Sequence, residues 1–157
     1  MIEKEYLANR IANANDTELV VILYEGLIDS LDDGIDYLKA KAYKELNSSM
    51  QKSREVLAEL LSTLQGNSEI ANNLRRIYLY INQLITEAEN GKDKEKLSLA
   101  KKVIMPIYDG WRELGEKEGQ QEAAELSKGP QIVAGMTYGK GQLNDYVINN
   151  KNEWQKG

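Results

Sequence analysis

Apolar residues recur at spacings of three and four along most of this chain, which is the pattern of α-helices. The pattern predicts four long helices, at about residues 15–38, 42–65, 68–90 and 94–116. Only short links separate them, so consecutive helices are expected to lie side by side and run in opposite directions. We therefore predict an all-α fold, an antiparallel up-and-down four-helix bundle.

Polar residues, glycines and a proline mark features of the individual helices. Asn15 can cap the first long helix, and Glu18 three residues later completes a capping-box pattern. Gly66 is expected just past the end of the second helix, and Asp93 can cap the fourth. Pro106 predicts a kink inside the fourth helix, because its ring clashes with the carbonyl four residues earlier.

The two ends of the chain differ from this predicted bundle. Residues 1–14 hold too few apolar side chains for a full core helix, and we interpret them as an N-terminal cover segment. The bundle domain is assigned to residues 15–118. Residues 119–157 mix glycines, amides and one short apolar run, and we interpret them as a C-terminal extension outside the bundle. One more helical turn followed by an extended or hairpin-like tail is compatible with this stretch.

The first long helix has a wider apolar face than one packing surface requires. On a helical wheel its apolar side chains fill about 200°, whereas a core-facing helix typically shows a stripe of about 100°. Ile22 lies outside this face, among the acidic residues. Two interpretations stay open: neighbours pack on two sides of the helix, or part of the face receives a partner helix. In the second case, residues 1–14 would shield that part until a partner displaces them.

The third long helix carries apolar mass on more than one face. Its core stripe stays within about 140° and includes Ile70 and Tyr78. Leu79 lies almost opposite the stripe, and Tyr80 sits off its edge. We therefore interpret the run of residues 78–80 as a second candidate wall of a binding surface.

Composition excludes several classes of function. The 157 residues contain no cysteine and no histidine, which removes disulfides, thiolate metal sites and the commonest general base. A net charge of -5 argues against a nucleic-acid partner. No apolar run approaches the roughly 18 residues of a membrane span, and the N-terminus lacks the apolar region of a signal peptide. We predict no enzyme activity, no catalytic residue, no metal, no cofactor and no membrane insertion.

Two short patterns invite a ligand interpretation and are better explained without one. The acidic residues at 29, 32, 33 and 36 share one helix face, but without histidine they do not form a di-iron motif, and a solvated face is expected. The run Tyr138–Gln142 lacks the spacing and the hydroxyl residue of a phosphate-binding loop, so we expect a glycine-rich turn.

Three short motifs stand out by their order and spacing along the chain. Tyr6, Asn9 and Ile11 form a Tyr-x-x-Asn-x-Ile start. Residues 19–26 form a Leu-x-x-x-Leu-Tyr-(Asp/Glu)-Gly run, and residues 73–80 form an Asn-Leu-x-x-x-Tyr-x-Tyr run. Together these motifs resemble those of the FliS family of flagellar export chaperones, and the resemblance covers roughly residues 5–114, with Trp111 closing the last bundle helix. It departs at residues 13–16, where "NAND" replaces the proline-containing entry of the family.

The resemblance implies a cytoplasmic chaperone that binds the C-terminal segment of newly made flagellin. Such a protein prevents premature polymerisation and delivers flagellin to the flagellar export apparatus, while its own N-terminal segment moves aside. The alternative is a helical adaptor or an export chaperone for a different flagellar subunit. The oligomeric state is open, with a homodimer of the free protein as one alternative.

From the resemblance and the helical wheels together we derive a set of candidate partner-binding residues. For Leu23, Tyr24 and Tyr78, a purely structural role in the core is an equally open interpretation. The full set is Tyr6, Asn9, Ile11, Leu19, Ile22, Leu23, Tyr24, Asn73, Tyr78, Leu79 and Tyr80.

Overall fold

The computed structural model describes the backbone of residues 2–128 and the side chains of residues 4–124. This part of the chain consists of five α-helices and contains no β-strand, so the all-α prediction is confirmed. The predicted turn at Tyr138–Gln142 and most of the predicted extension lie outside the described residues. The helices are α1 (Ile2–Asn13), α2 (Asp16–Lys39), α3 (Tyr43–Ser62), α4 (Glu69–Gly91) and α5 (Lys94–Lys128).

The four long helices pack around one apolar core. α2 packs against α3 and α5, and α4 packs against the same two helices, whereas α1 makes no comparable packing with any of them. All four long helices contribute fully buried side chains, so the core is continuous between them. The largest are Tyr24, Leu27, Leu31, Leu46, Met50, Leu57, Leu60, Ile81, Ile85, Leu97 and Ile104.

Both predicted helix caps that begin long helices are confirmed. The Asn15 side chain accepts a hydrogen bond from the Glu18 backbone N–H at 2.8 Å, and the Glu18 carboxylate accepts one from the Asn15 backbone N–H at 2.9 Å. This reciprocal pair is a capping box, and it fixes the start of α2. The Asp93 carboxylate accepts a hydrogen bond from the Glu95 backbone N–H at 3.0 Å at the start of α5.

Two predicted helix ends are wrong. α3 ends at Ser62, where the Thr63 hydroxyl donates to the Leu60 carbonyl at 2.6 Å, and Gly66 lies further on in the loop with a φ of 78°. α5 does not end near residue 116 but continues to Lys128, so the boundary placed after residue 118 falls inside a helix. Residues 120–128 are mostly strong helix formers, which outweigh the cost of about 1 kcal/mol for Gly119. α5 is also continuous through Pro106.

Packing on two sides accounts for most of the wide apolar face of α2. Gly34 shows how closely three helices approach one another there. A Cβ atom at that position would lie 2.6 Å from Met50 Cε of α3 and 2.8 Å from Leu97 Cδ1 of α5. The interpretation in which neighbours contact α2 on two sides therefore holds for the buried part of the face. Within the described residues, no helix is both long and apolar enough to cross a membrane.

Candidate functional site

α1 lies beside the first half of α2, and a cleft of about 340 Å³ separates the two helices. Val21 is buried and Ile22 is half-buried, and both line this cleft from the α2 side. Ile22 is the apolar residue that the wheel places among acids, so α1 lies over an apolar side chain outside the core-facing arc of α2. The other lining residues are Tyr6, Asn9, Arg10, Asn13, Ala14 and Glu18.

One carboxylate joins α1 to the body of the protein. Arg10 Nη1 donates to Glu25 Oε1 at 2.6 Å, and the Tyr108 hydroxyl of α5 donates to Glu25 Oε2 at 3.0 Å. The hydrogen bond to Glu25 raises the pKa of Arg10, and burial together with the bond to Glu25 raises the pKa of Tyr108. Each partner of the ion pair keeps about a third of its side chain exposed, 32 % for Arg10 and 31 % for Glu25. The ion pair therefore holds α1 in place while remaining partly exposed to solvent.

The predicted cover residues of α1 do not all face the cleft. Tyr6 and Asn9 line it, although Tyr6 remains 62 % exposed. Ile11 does not line the cleft and is 46 % exposed, and Leu7 is also exposed. The expectation that Ile11 lies over the apolar strip is therefore wrong, because the helical turn of α1 directs Arg10 rather than Ile11 toward α2. The arrangement leaves apolar side chains of α1 itself in solvent.

Tyr24 and Tyr78 belong to the core and not to an exposed surface. They are 0 % and 2 % exposed, their hydroxyl oxygens lie 2.6 Å apart, and their rings meet edge to face with centroids at 6.3 Å. Burial raises the pKa of both hydroxyls. Tyr24 also hydrogen-bonds the side chain of Trp111, whose indole can only donate. Of the two interpretations left open for Tyr24 and Tyr78, their burial favours the structural role in the core.

The remaining α2 candidates lie at the edge of the core. Leu19 and Leu23 are half-buried, and Leu23 packs against the core cluster. Neither residue lines the cleft under α1. Of the α2 residues predicted to form one groove, only Ile22 therefore faces α1.

The outer face of α4 carries the second candidate surface. Leu79 is 55 % exposed and Tyr80 is 42 % exposed, as the wheel predicts for side chains off the core stripe. Asn73 is exposed and accepts a hydrogen bond from Arg76 Nη1 at 2.8 Å. Ile70, expected on the core stripe, is 51 % exposed instead, because it lies in the first turn of α4, where the next residue is the buried one.

The two predicted walls do not form one groove. The cleft beside Ile22 contains no α4 residue, and α2 meets α4 across the core, where Tyr24 contacts Tyr78, rather than along this cleft. Leu79 and Tyr80 therefore define a separate apolar surface. The residues that sequence reasoning missed are Arg10, Glu25 and Tyr108. Glu25 is a defined position of one quoted motif, Arg10 is a variable position of another, and no spacing rule links the three residues.

The acidic face of α2 is engaged by a lysine rather than arranged as a metal site. Asp32 Oδ1 lies 2.8 Å from Lys101 Nζ of α5. Burial raises the pKa of Asp29, and the neighbouring carboxylates of Asp33 and Asp32 raise it further. Among the described residues, no group of three or more acidic side chains could hold a metal ion.

The described residues define an all-α protein in which a short helix, α1, lies beside one of four long helices. Comparison with known proteins identifies its family. Residues 2–118 match the model of the flagellar protein FliS family, and the chain belongs to that family. It is similar to the flagellar secretion chaperone FliS of Bacillus subtilis (strain 168), with 21 % identity over 113 residues that cover 72 % of this chain and 85 % of that protein. The family match includes α1, the cleft and α2 to α4, and it ends within α5.

Proposed function

We propose that this protein is a cytoplasmic secretion chaperone for flagellin and not an enzyme. It binds the C-terminal helical segment of flagellin, keeps that segment from polymerising and delivers it to the flagellar export apparatus. The four long helices form the antiparallel up-and-down bundle that the sequence predicts. Membership of the FliS family supports this proposal, as does the similarity to the flagellar secretion chaperone FliS of Bacillus subtilis.

The observation that carries the proposal is the loose attachment of α1 over an apolar floor. α1 packs closely against none of the four long helices. Its ion pair to Glu25 is about one-third exposed, and such pairs typically contribute about 0.2–1 kcal/mol. A 12-residue helix is also marginal by itself in water. Lifting α1 therefore costs little free energy, and it uncovers Val21 and Ile22 for a partner helix.

Titration with a peptide of the flagellin C-terminal segment tests the proposal directly. Isothermal calorimetry should show saturable binding, and no heat and no mobility shift at tens of micromolar would refute it. Saturable binding to a different flagellar subunit instead would favour the alternative of another export chaperone.

Deletion of residues 1–12 tests whether α1 is a displaceable cover. The shortened protein should keep its helical content and bind the flagellin peptide more tightly, because the peptide no longer competes with α1. Circular dichroism and calorimetry measure the two effects. Loss of the folded state on deletion would show that α1 is structural.

A substitution on α4 tests the second candidate surface. Leu79→Glu should weaken binding of the flagellin peptide without loss of helicity, because Leu79 is 55 % exposed and has little role in the core. Leu99→Glu on α5 is the matched control, since Leu99 is 39 % exposed. Equal effects of the two substitutions would mean that the α4 surface has no special role.

A further inference from the structure

The Glu25 carboxylate is held from two sides, and only one of the two contacts depends on α1. Oε2 accepts from the Tyr108 hydroxyl of α5 at 3.0 Å, while Oε1 accepts from Arg10 at 2.6 Å. When α1 moves away, Tyr108 still fixes the carboxylate in position. Oε1 then loses its charged donor, Arg10.

The vacated cleft has a defined chemistry. Its floor is apolar, with Val21 buried and Ile22 half-buried, and Glu18 lines it from the same helix. Glu25 lies about one turn beyond Ile22 on that helix, where it holds the Arg10 that lines the cleft. Glu25 is 31 % exposed, and a carboxylate that is partly withdrawn from water gains from a cationic donor. The nearby Asp29 adds negative charge, and the repulsion by Glu25 contributes to raising its pKa.

We propose that the segment that replaces α1 carries an arginine or a lysine, which occupies the position of Arg10 on Glu25. This inference rests on the proposed function and names a determinant of partner specificity within it. Arginine suits the position best, because its planar guanidinium matches a carboxylate. Ile22 and Glu25 are three residues apart on one helix face, so the occupant presents an apolar residue and a cation about one turn apart.

The test uses the full-length chain with Arg10→Gln as the background. This substitution removes the competing cation of α1 and should tighten binding of the flagellin C-terminal peptide about threefold. Adding Glu25→Gln to this background then removes only the contact to the peptide. The amide oxygen of glutamine still accepts the bond from Tyr108, so the fold is expected to persist.

The double variant should bind the peptide about fivefold more weakly than Arg10→Gln alone. Asp33→Asn in the same background is the matched control, because it removes one exposed negative charge from the same helix and should leave the affinity unchanged. Peptides in which each basic residue in turn is replaced by glutamine then locate the partner cation. One such peptide should lose affinity for Arg10→Gln and not for the double variant.

The possible outcomes separate this inference from the proposed function. Equal affinities of Arg10→Gln and the double variant, with clear binding by both, overturn the inference and leave the function standing. Equal losses from Glu25→Gln and Asp33→Asn also overturn it, because they reveal only general attraction of a basic peptide. Absence of binding by every variant and by the unmodified protein overturns the proposed function, and the inference with it.

Discussion

Replacement of Glu118 by glutamine should stabilise the protein at pH 8 and leave its stability at pH 5 nearly unchanged. Glu118 lies on α5 against the first turn of α2, where its Oε1 accepts a hydrogen bond from the Thr17 hydroxyl at 2.7 Å. Burial raises the pKa of this carboxyl to about 7, and repulsion from Glu122, Asp16 and Glu18 adds to the effect. The bond from Thr17 opposes the rise but does not cancel it.

The sign of the pH dependence follows from the raised pKa. The folded protein holds a proton on Glu118 up to about pH 7, whereas the unfolded chain releases it near the ordinary value of 4.5. The stabilising contribution is therefore complete below pH 4.5 and is lost as the pH rises through about 7. For a fully buried group this difference would correspond to about 3 kcal/mol. Glu118 is only half-buried, so solvent screening reduces the expected effect to about 1 kcal/mol.

Urea unfolding followed by far-ultraviolet circular dichroism at pH 5, 6, 7 and 8 measures this effect. The free energy of unfolding of the unmodified protein should fall by about 1 kcal/mol relative to Glu118→Gln across this range. Glu113→Gln, an exposed position on the same helix, should follow the unmodified protein. Parallel pH profiles for the unmodified protein and Glu118→Gln would refute the reasoning.

Three further predictions concern the fold. Tyr24→Phe and Tyr78→Phe should each lower the free energy of unfolding by about 1–2 kcal/mol, because each removes one side of the buried hydroxyl–hydroxyl bond. The double variant should lose about 1 kcal/mol less than the sum, because that bond can be lost only once, and additive losses in urea unfolding would contradict this. Gly110→Ala should stabilise the protein by up to about 1 kcal/mol, because the added methyl group would enter open space. Gly34→Ala should destabilise it by about 1 kcal/mol or more, because buried side-chain atoms at 2.6 and 2.8 Å must move. Thermal melts that show the reverse order would contradict this prediction. Asn15→Ala should lower the free energy of unfolding by about 1 kcal/mol, because the capping acceptor is lost, whereas Asn15→Asp should keep most of the stability that the cap contributes. Equal losses for the two variants would exclude capping as the cause.

The sequence predicts the helices well, because helix periodicity and capping are local properties. Asn15 and Asp93 can be identified as caps from their neighbours along the chain alone, and both are found as caps. The end of α5 is harder to predict, because Gly119 and the residues after it have opposing preferences. The summed helix propensities of these residues, rather than the single glycine, decide where the helix ends.

The candidate site is less accessible to sequence reasoning, because it depends on which helices become neighbours. The helical wheel places Tyr78 on the core stripe. The family motif, by contrast, contains both Tyr78 and Tyr80 and does not tell which of the two contacts a partner. The excess apolar width of α2 has two physical causes that one sequence cannot separate. Packing by α3 and α5 explains most of it, and α1 covers Ile22. The contact of Arg10 with Glu25 depends on the path of the link between α1 and α2, which no pattern encodes.

That link consists of Ala14 and Asn15, and the capping box already immobilises Asn15. Ala14 is therefore the one joint about which α1 can swing. As a helix, this arm of 12 residues is about 18 Å long, so its free end can travel far while its root stays fixed. Because the arm remains attached, its competition with any ligand is unimolecular and does not weaken when the protein is diluted.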